Sequence, residues 1–169
     1  MLLTAQQKAT VKAAILADVG VSQTFIDGNT PGVADYMNAN ASPAFWVWRT
    51  NVTREEVYTL QNDLPVSGAQ TGFWEWTTYK NQAVAEQNAW VQMFMGDTAN
   101  FSRLNLRDGV GKIFTGSAAA NAQRDHCLAI GRRLASRVEK ILATGTGSTA
   151  SPGTMVVEGP LTATDVQGL

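Results

Sequence analysis

Cysteine and histidine are almost absent from this 169-residue sequence, which has one of each. A single cysteine cannot form a disulfide within the chain, so a small disulfide-stapled fold is excluded. His126 and Cys127 are adjacent, and neighbours on a helix point about 100° apart, so they do not suit a nucleophile and its base. One Cys and one His are also too few for a structural zinc site. We therefore expect no catalytic, cofactor-binding or metal-binding residues, and no enzyme activity.

Charged residues are scarce as well. They make up 16% of the sequence, against about a quarter in an average protein. The net charge of −1 does not suit the chain as a whole to bind a polyanion. Residues 1–100 hold five Lys/Arg and nine Asp/Glu (−4), whereas residues 101–169 hold eight and five (+3). This opposite charge of the two parts of the chain suits head-to-tail association of subunits. The low overall content of charged residues is typical of a surface that contacts other proteins.

Long apolar runs are missing too. No window approaches 18 apolar residues, so we expect no transmembrane helix and no membrane partner. The N-terminus lacks a basic start followed by an apolar run, which argues against a signal peptide. The chain is expected in the cytosol or in a particle assembled there.

Helical periodicity is the strongest pattern that is present. Capping boxes at residues 4–7 and 53–56 each begin a helix. Further apolar spacing predicts a helix over roughly 76–95, preceded by a loop at 65–73, and the longest helix over about 117–143. The predicted fold class is mainly α, with five or six helices and a long C-terminal helix in a domain over 1–145.

Residues 146–169 have a different composition. They are rich in Gly, Ser, Thr and Pro and have no helical period. Alone, such a segment cannot bury enough apolar surface to offset its ordering entropy. We predict an extended arm, ordered on binding a partner.

Four of the five tryptophans lie in two Phe-Trp-x-Trp runs, at residues 45–48 and 73–76. Exposed rings could stack on bases or sugars, or form a protein interface. Buried rings would instead close the seams between short helices, which is the favoured interpretation. The predicted core aromatics are Trp46, Trp48, Trp74, Trp76 and Trp90.

Basic residues recur on the predicted C-terminal helix. Arg133, Arg137 and Lys140 follow i, i+4, i+7 spacing and would form one stripe on that helix. The leading interpretation is that these side chains face solvent, since cations are favoured near the C-terminus of a helix. The alternative is that the stripe faces a neighbouring subunit or DNA. The GVGK run at residues 109–112 lacks the remaining residues of a phosphate-binding loop.

Two blocks resemble small structural proteins of tailed bacteriophages. The first matches the pattern SPxFWVWRT at residues 42–50, and the second runs from ATGTG at residues 143–147, through SPxTM at residues 151–155, to EGPL at residues 158–161. This resemblance implies a virion protein without a catalytic signature. By architecture, a helical domain with a C-terminal arm is most similar to the head–tail connector of adaptor type.

The resemblance also implies partners. An adaptor forms a homo-oligomeric ring of about a dozen copies between the portal protein and the next tail or neck protein, with packaged DNA passing nearby. It would lie in the neck region of the virion, after assembly in the host cytoplasm. An arm can dock on a partner by wrapping it or by adding a strand. The arm residues predicted to bind the portal are Ser151, Pro152, Met155, Val156, Val157, Leu161, Val166 and Leu169.

Two alternatives stay open at this point. The chain could be another phage neck, head or tail-completion protein. It could also be a nucleic-acid-binding helical module that uses the stripe of Arg133, Arg137 and Lys140.

Overall fold

The computed structural model describes residues 1–59 and 74–169. The loop predicted at 65–73, including Phe73 of the second Phe-Trp-x-Trp run, lies outside these residues. Within the described ranges the chain forms ten helices and four short strands. The helices are α1 (Ala5–Ala17), α2 (Ser22–Ile26), α3 (Thr30–Asn38), α4 (Arg54–Thr59), α5 (Trp76–Lys80), α6 (Val84–Met93), α7 (Leu104–Ile113), α8 (Ala118–Ile130), α9 (Arg137–Leu142) and α10 (Ala163–Gln167). The strands are β1 (Trp46–Trp48), β2 (Val52–Thr53), β3 (Thr98–Ala99) and β4 (Arg132–Leu134).

The chain divides into two compact units. Unit one comprises Met1–Val47 and Leu134–Leu169, and unit two is the continuous segment Trp48–Arg133. Unit two is therefore inserted into unit one in the order of the chain. This division differs from the predicted helical domain over 1–145 followed by a separate arm.

The core of unit one is built from both ends of the chain. The capping box predicted at residues 4–7 is present at the start of α1, and Val11 and Ile15 of that helix are buried. They belong to a cluster with apolar residues of α3, α9 and the C-terminal segment. The buried members of this cluster are Val11, Ile15, Val21, Val33, Ala34, Met37, Val138, Leu142, Leu161 and Val166.

The core of unit two is aromatic. Trp90 is fully buried and stacks on Trp74 with ring centroids 5.1 Å apart, while the edge of Phe114 meets Trp90 at 5.4 Å. The indole N–H of Trp90 donates to the Tyr58 hydroxyl at 3.1 Å, so its polar atom is satisfied inside the cluster. The second predicted capping box begins α4, where Thr53 and Glu56 bond reciprocally.

The strands are minor elements. In β2 and β3, Val52 is paired with Ala99 and Thr53 with Thr98 in antiparallel register. The other two-stranded sheet is formed by β1 and β4. The fold is mainly α, as predicted, but the described residues contain ten short helices rather than five or six.

The long C-terminal helix predicted over 117–143 is wrong. Ser117 caps α8 as expected, but the helix ends at Ile130, strand β4 follows, and α9 starts afresh after Ser136. A side chain at Gly131 would overlap the ring of Phe101, so the chain at this point is shaped by packing. The helix predicted over 76–95 is likewise divided, into α5 and α6.

Candidate functional site

The two sequence blocks that carry the phage resemblance meet in unit one. The Trp46 N–H donates to the Gly147 carbonyl at 2.7 Å, and the Gly153 N–H donates to the Trp46 carbonyl at 2.8 Å. Thr144 and Thr154 exchange backbone hydrogen bonds and close the loop that contains both glycines. We call this contact the block junction, defined by Phe45, Trp46, Gly147 and Gly153.

Glycine is required at the junction because of the ring of Phe45. A Cβ added to Gly147 would overlap this ring, and one added to Gly153 would lie 2.8 Å from it. Gly147 also has a φ of +67°, a left-handed conformation that side chains disfavour. The glycines of the second block thus leave the space that the phenylalanine of the first block fills.

The EGPL end of the second block is anchored separately. The Leu161 N–H donates to the Asn38 side-chain oxygen at 2.7 Å, and the Asn38 amide donates back to the Leu161 carbonyl at 2.8 Å. The Gly159 N–H donates to the buried carboxylate of Glu139 at 3.2 Å. These contacts fix the segment on α3 and α9.

A cleft of about 470 Å³ opens in unit one beside the first block. Its polar lining comes from α9 and from residues near the ends of α1 and α3. Lys140 also donates to the Pro43 carbonyl at 3.3 Å, which places its ammonium group next to the first block. The cleft is lined by Ala14, Asp18, Tyr36, Met37, Ser42, Arg137, Lys140 and Ile141.

Tyr36 connects the charged groups of the cleft. Its hydroxyl lies 3.1 and 3.2 Å from the two carboxylate oxygens of Asp18 and donates to this carboxylate. That hydrogen bond is the main reason why the pKa of Tyr36 is raised, since the Asp18 acceptor favours the protonated phenol. The Arg137 guanidinium lies 4.0 Å from the centroid of the Tyr36 ring and donates to the Tyr36 carbonyl at 2.8 Å.

The predicted basic stripe does not form as one helical stripe. Arg137 and Lys140 lie one turn apart on α9 and both line the cleft, whereas Arg133 lies on β4 and belongs to unit two. The i, i+4, i+7 argument required one continuous helix, and residues 131–136 interrupt it. Asp18, Tyr36 and Ser42 were not foreseen, because sequence spacing cannot relate them to α9.

The tryptophans divide by exposure. Trp48, Trp74 and Trp90 are buried, and Trp46 is half-buried. Trp76 does not belong to the core, since 53% of its surface is exposed at the start of α5. Its ring lies against those of Tyr58, Trp74 and Tyr79, with centroids 4.9, 5.7 and 6.0 Å away, and so borders the aromatic core.

The predicted arm is packed in unit one. Pro152, Leu161 and Val166 are buried, the last two with 1% exposure, and Thr162 begins α10 with a further capping box. The remaining predicted contact residues are exposed (Ser151, Val156) or half-buried (Met155, Val157, Leu169). Composition suggested a segment without a core of its own, but the segment completes the core that α1 and α3 begin. A rearrangement of this segment on a partner stays a prediction.

His126 and Cys127 are both buried on α8. The Nε2 atom of His126 lies 2.8 Å from the Val57 carbonyl, so the imidazole bridges α8 and α4. Burial raises the pKa of the Cys127 thiol well above its usual range, which disfavours the thiolate. Over residues 1–59 and 74–169 there is no group of three or more His, Cys, Asp or Glu side chains placed to hold a metal ion. GVGK lies inside α7.

No protein-family description, curated protein or solved structure matches this chain. In the part of the chain that the structure describes, no helix is long and apolar enough to cross a membrane. Functional inference therefore rests on the residues and on the geometry given above.

Proposed function

We propose that the chain is a structural subunit of a tailed-bacteriophage virion, of head–tail connector (adaptor) type. The observation that carries the proposal is the block junction. The residues that resemble phage structural proteins are far apart in the sequence, yet Phe45 and Trp46 pack directly on Gly147, which is one of them, and on Gly153, which lies between matching residues of the second block. These motif residues are thus used for backbone pairing and close packing, which is the role expected of a structural motif.

The subunit would work as part of a homo-oligomeric ring between the portal and the next neck or tail protein. The exposed portion of the second block supplies the contact with the portal. Val156 is 64% exposed and Ser151 is also exposed, although their neighbours Pro152 and Gly153 are buried in unit one. A partner can therefore bind this portion without unfolding the core beneath it.

Electron microscopy of mixtures with purified portal rings tests this proposal. The rings should come from tailed phages that encode a chain with both sequence blocks. We expect the wild-type chain to form a ring of about a dozen copies that docks on the portal. Val156→Asp should weaken docking, because a charge would be desolvated at the contact.

Leu2→Asp is the matched control, since Leu2 is a 96% exposed apolar residue of the same unit outside both blocks. It should dock like the wild type. Wild-type chains that neither form rings nor bind portals under any assembly condition would refute the connector proposal. Equal losses in both variants would remove Val156 from the contact.

A further inference from the structure

Two cations in the cleft of unit one lack an acidic partner among the residues that the structure describes. Neither Arg137 nor Lys140 forms an ion pair with any residue in the described ranges, whose ion pairs involve other groups. Each donates to a backbone carbonyl instead, at 2.8 Å from Arg137 and at 3.3 Å from Lys140. The positive charge of both side chains is thus available to a ligand in the cleft.

The guanidinium of Arg137 is already oriented. Its contact with the Tyr36 ring and its bond to the Tyr36 carbonyl restrict it from two directions. Guanidinium has five N–H donors, so others stay available for a planar oxyanion. A group held in place before binding loses little conformational entropy when a ligand arrives.

The surroundings favour a carboxylate over a nucleic-acid phosphate. Unit one holds four Lys/Arg and six Asp/Glu, a net charge of −2 that repels a polyanion. Asp18 stands in the same cleft, where its carboxylate accepts from the Tyr36 hydroxyl, and its charge opposes a ligand with many negative charges more than a ligand with one. Ala14, Met37 and Ile141 supply apolar lining, which phosphodiester backbones do not require and protein side chains do.

We propose that this cleft binds an acidic side chain of a partner protein, together with an apolar side chain next to it. The carboxylate would accept hydrogen bonds from Arg137 and Lys140. The apolar neighbour would pack on Ala14, Met37 and Ile141. The cleft volume of about 470 Å³ has room for two side chains. This inference holds whether or not the chain is a connector, because it depends only on the geometry of unit one.

Two capped tripeptides test the inference by NMR titration of the full chain. The first is N-acetyl-Leu-Glu-Leu amide, and the second replaces its Glu by Gln. We expect the Glu peptide to shift the Arg137 Nε–Hε signal and the backbone signals of Tyr36 and Lys140. The Gln peptide should bind about tenfold more weakly, since it loses the charge-assisted hydrogen bonds.

Variants locate the site. Arg137→Gln should reduce the affinity for the Glu peptide about tenfold. Lys140→Gln should reduce it by a smaller factor with little risk to folding, because its hydrogen bond is at the surface. Arg124→Gln is the control, since Arg124 lies on α8 of unit two and pairs with Asp125. It should bind like the wild type.

Three results would overturn the inference. Equal shifts from both peptides would show an apolar groove without carboxylate recognition. The absence of any shift up to the solubility limit of the Glu peptide would show that the cleft does not accept such a ligand. Tighter binding of a 20-nucleotide single strand, with the same signals shifted, would assign the cleft to nucleic acid.

Discussion

At the scale of single residues, Gly147 carries the strongest steric requirement at the block junction. Its φ is +67°, and a Cβ would overlap the Phe45 ring. We expect Gly147→Ala to lower the free energy of unfolding by about 2–4 kcal/mol, through left-handed strain and overpacking together. Denaturant unfolding followed by circular dichroism would measure this loss.

Gly28 provides the matched control for that measurement. Its φ is +74°, nearly the same, but within the described ranges no heavy atom beyond its chain neighbours lies within 4 Å of the position of an added Cβ. Gly28→Ala should therefore cost only the strain, about 1–2 kcal/mol. Equal losses in both variants would show that Phe45 moves away readily and that the junction is not tightly packed.

Cys127 should be unreactive in the folded chain. The thiol is fully buried, and burial raises its pKa, so both access and the thiolate are disfavoured. In a Ser148→Cys variant, the exposed new thiol is an internal reference. We expect Ellman's reagent to modify Cys127 about a thousandfold or more slowly than the new thiol. The reaction of Cys127 would be limited by the opening of the core around it. Comparable rates would mean that the core of unit two is open.

The candidate cleft shows what residue patterns could and could not foresee. Helical spacing singled out Arg137 and Lys140. Both residues lie on α9, and residues three positions apart on a helix share a face. Asp18 directly follows α1 and Tyr36 lies on α3, more than a hundred positions earlier. Periodicity describes one element at a time, so it cannot show that two elements bring their side chains to one cleft.

At the scale of elements, short local signals decided where helices begin. The Ser136 and Glu139 side chains form a capping box at the start of α9. This Ser-x-x-Glu pattern is visible in the sequence, but the apolar spacing on both sides led to one long helix across it. The Ser-x-x-Glu pattern therefore marks the start of a new helix, even though apolar residues continue at helical spacing on both sides of it.

Glu139 should contribute more stability than an ordinary capping residue. One carboxylate oxygen accepts from the Ser136 N–H at 3.0 Å and the other from the Gly159 N–H at 3.2 Å, and the residue is only 4% exposed. Glu139→Ala would leave two half-buried N–H donors without these acceptors, at a cost of about 2–4 kcal/mol in the free energy of unfolding.

Gln7→Ala is the control for this prediction. Gln7 occupies the same position in the α1 capping box, but its hydrogen bonds are exposed. It should cost about 0.5 kcal/mol or less in thermal or chemical unfolding. If the two variants lose equal stability, the contact with Gly159 adds nothing.

The capping box of α10 should make stability depend on acidic pH. Partial burial alone would raise the pKa of Asp165, but hydrogen bonds from the Thr162 hydroxyl and N–H, together with the Met1 ammonium group 3.0 Å away, outweigh it and lower this pKa to about 2 from 3.8. The ionised form therefore favours the folded state. Its contribution approaches its full value as the pH rises above 3.8 and is lost as the pH falls toward 2.

Asp165→Asn isolates this contribution. The difference in melting temperature between the wild type and the variant should be constant above about pH 5 and shrink steadily below pH 4. Other carboxylates titrate in both proteins and cancel in the difference. A difference independent of pH down to 2.5 would show that Asp165 is not stabilised in its charged form.

At the scale of the whole molecule, the chain order hides the way the core is assembled. Unit one takes its core from α1 and α3 at one end and from α9, Leu161 and Val166 at the other. Composition predicted that residues 146–169 have no core of their own. It could not indicate that a core 120 or more positions earlier lacks the side chains that this segment supplies.

Removal of residues 146–169 should therefore unfold unit one rather than release an independent arm. The loss of Leu161 and Val166 alone costs about 3–6 kcal/mol of apolar burial, a large share of the stability of a domain of this size. Unit two is a continuous segment with its own aromatic core around Trp74 and Trp90. Hydrogen exchange followed by mass spectrometry should show α1 and α3 exchanging rapidly in the truncated chain, while α6 and α8 keep more protection.

Leu161→Asn in the full-length chain should produce the same pattern in milder form, because it removes one buried side chain and leaves the segment in place. If α1 and α3 stay as protected in the truncated chain as in the intact one, residues 146–169 are a detachable arm after all, and the core of unit one is complete without them.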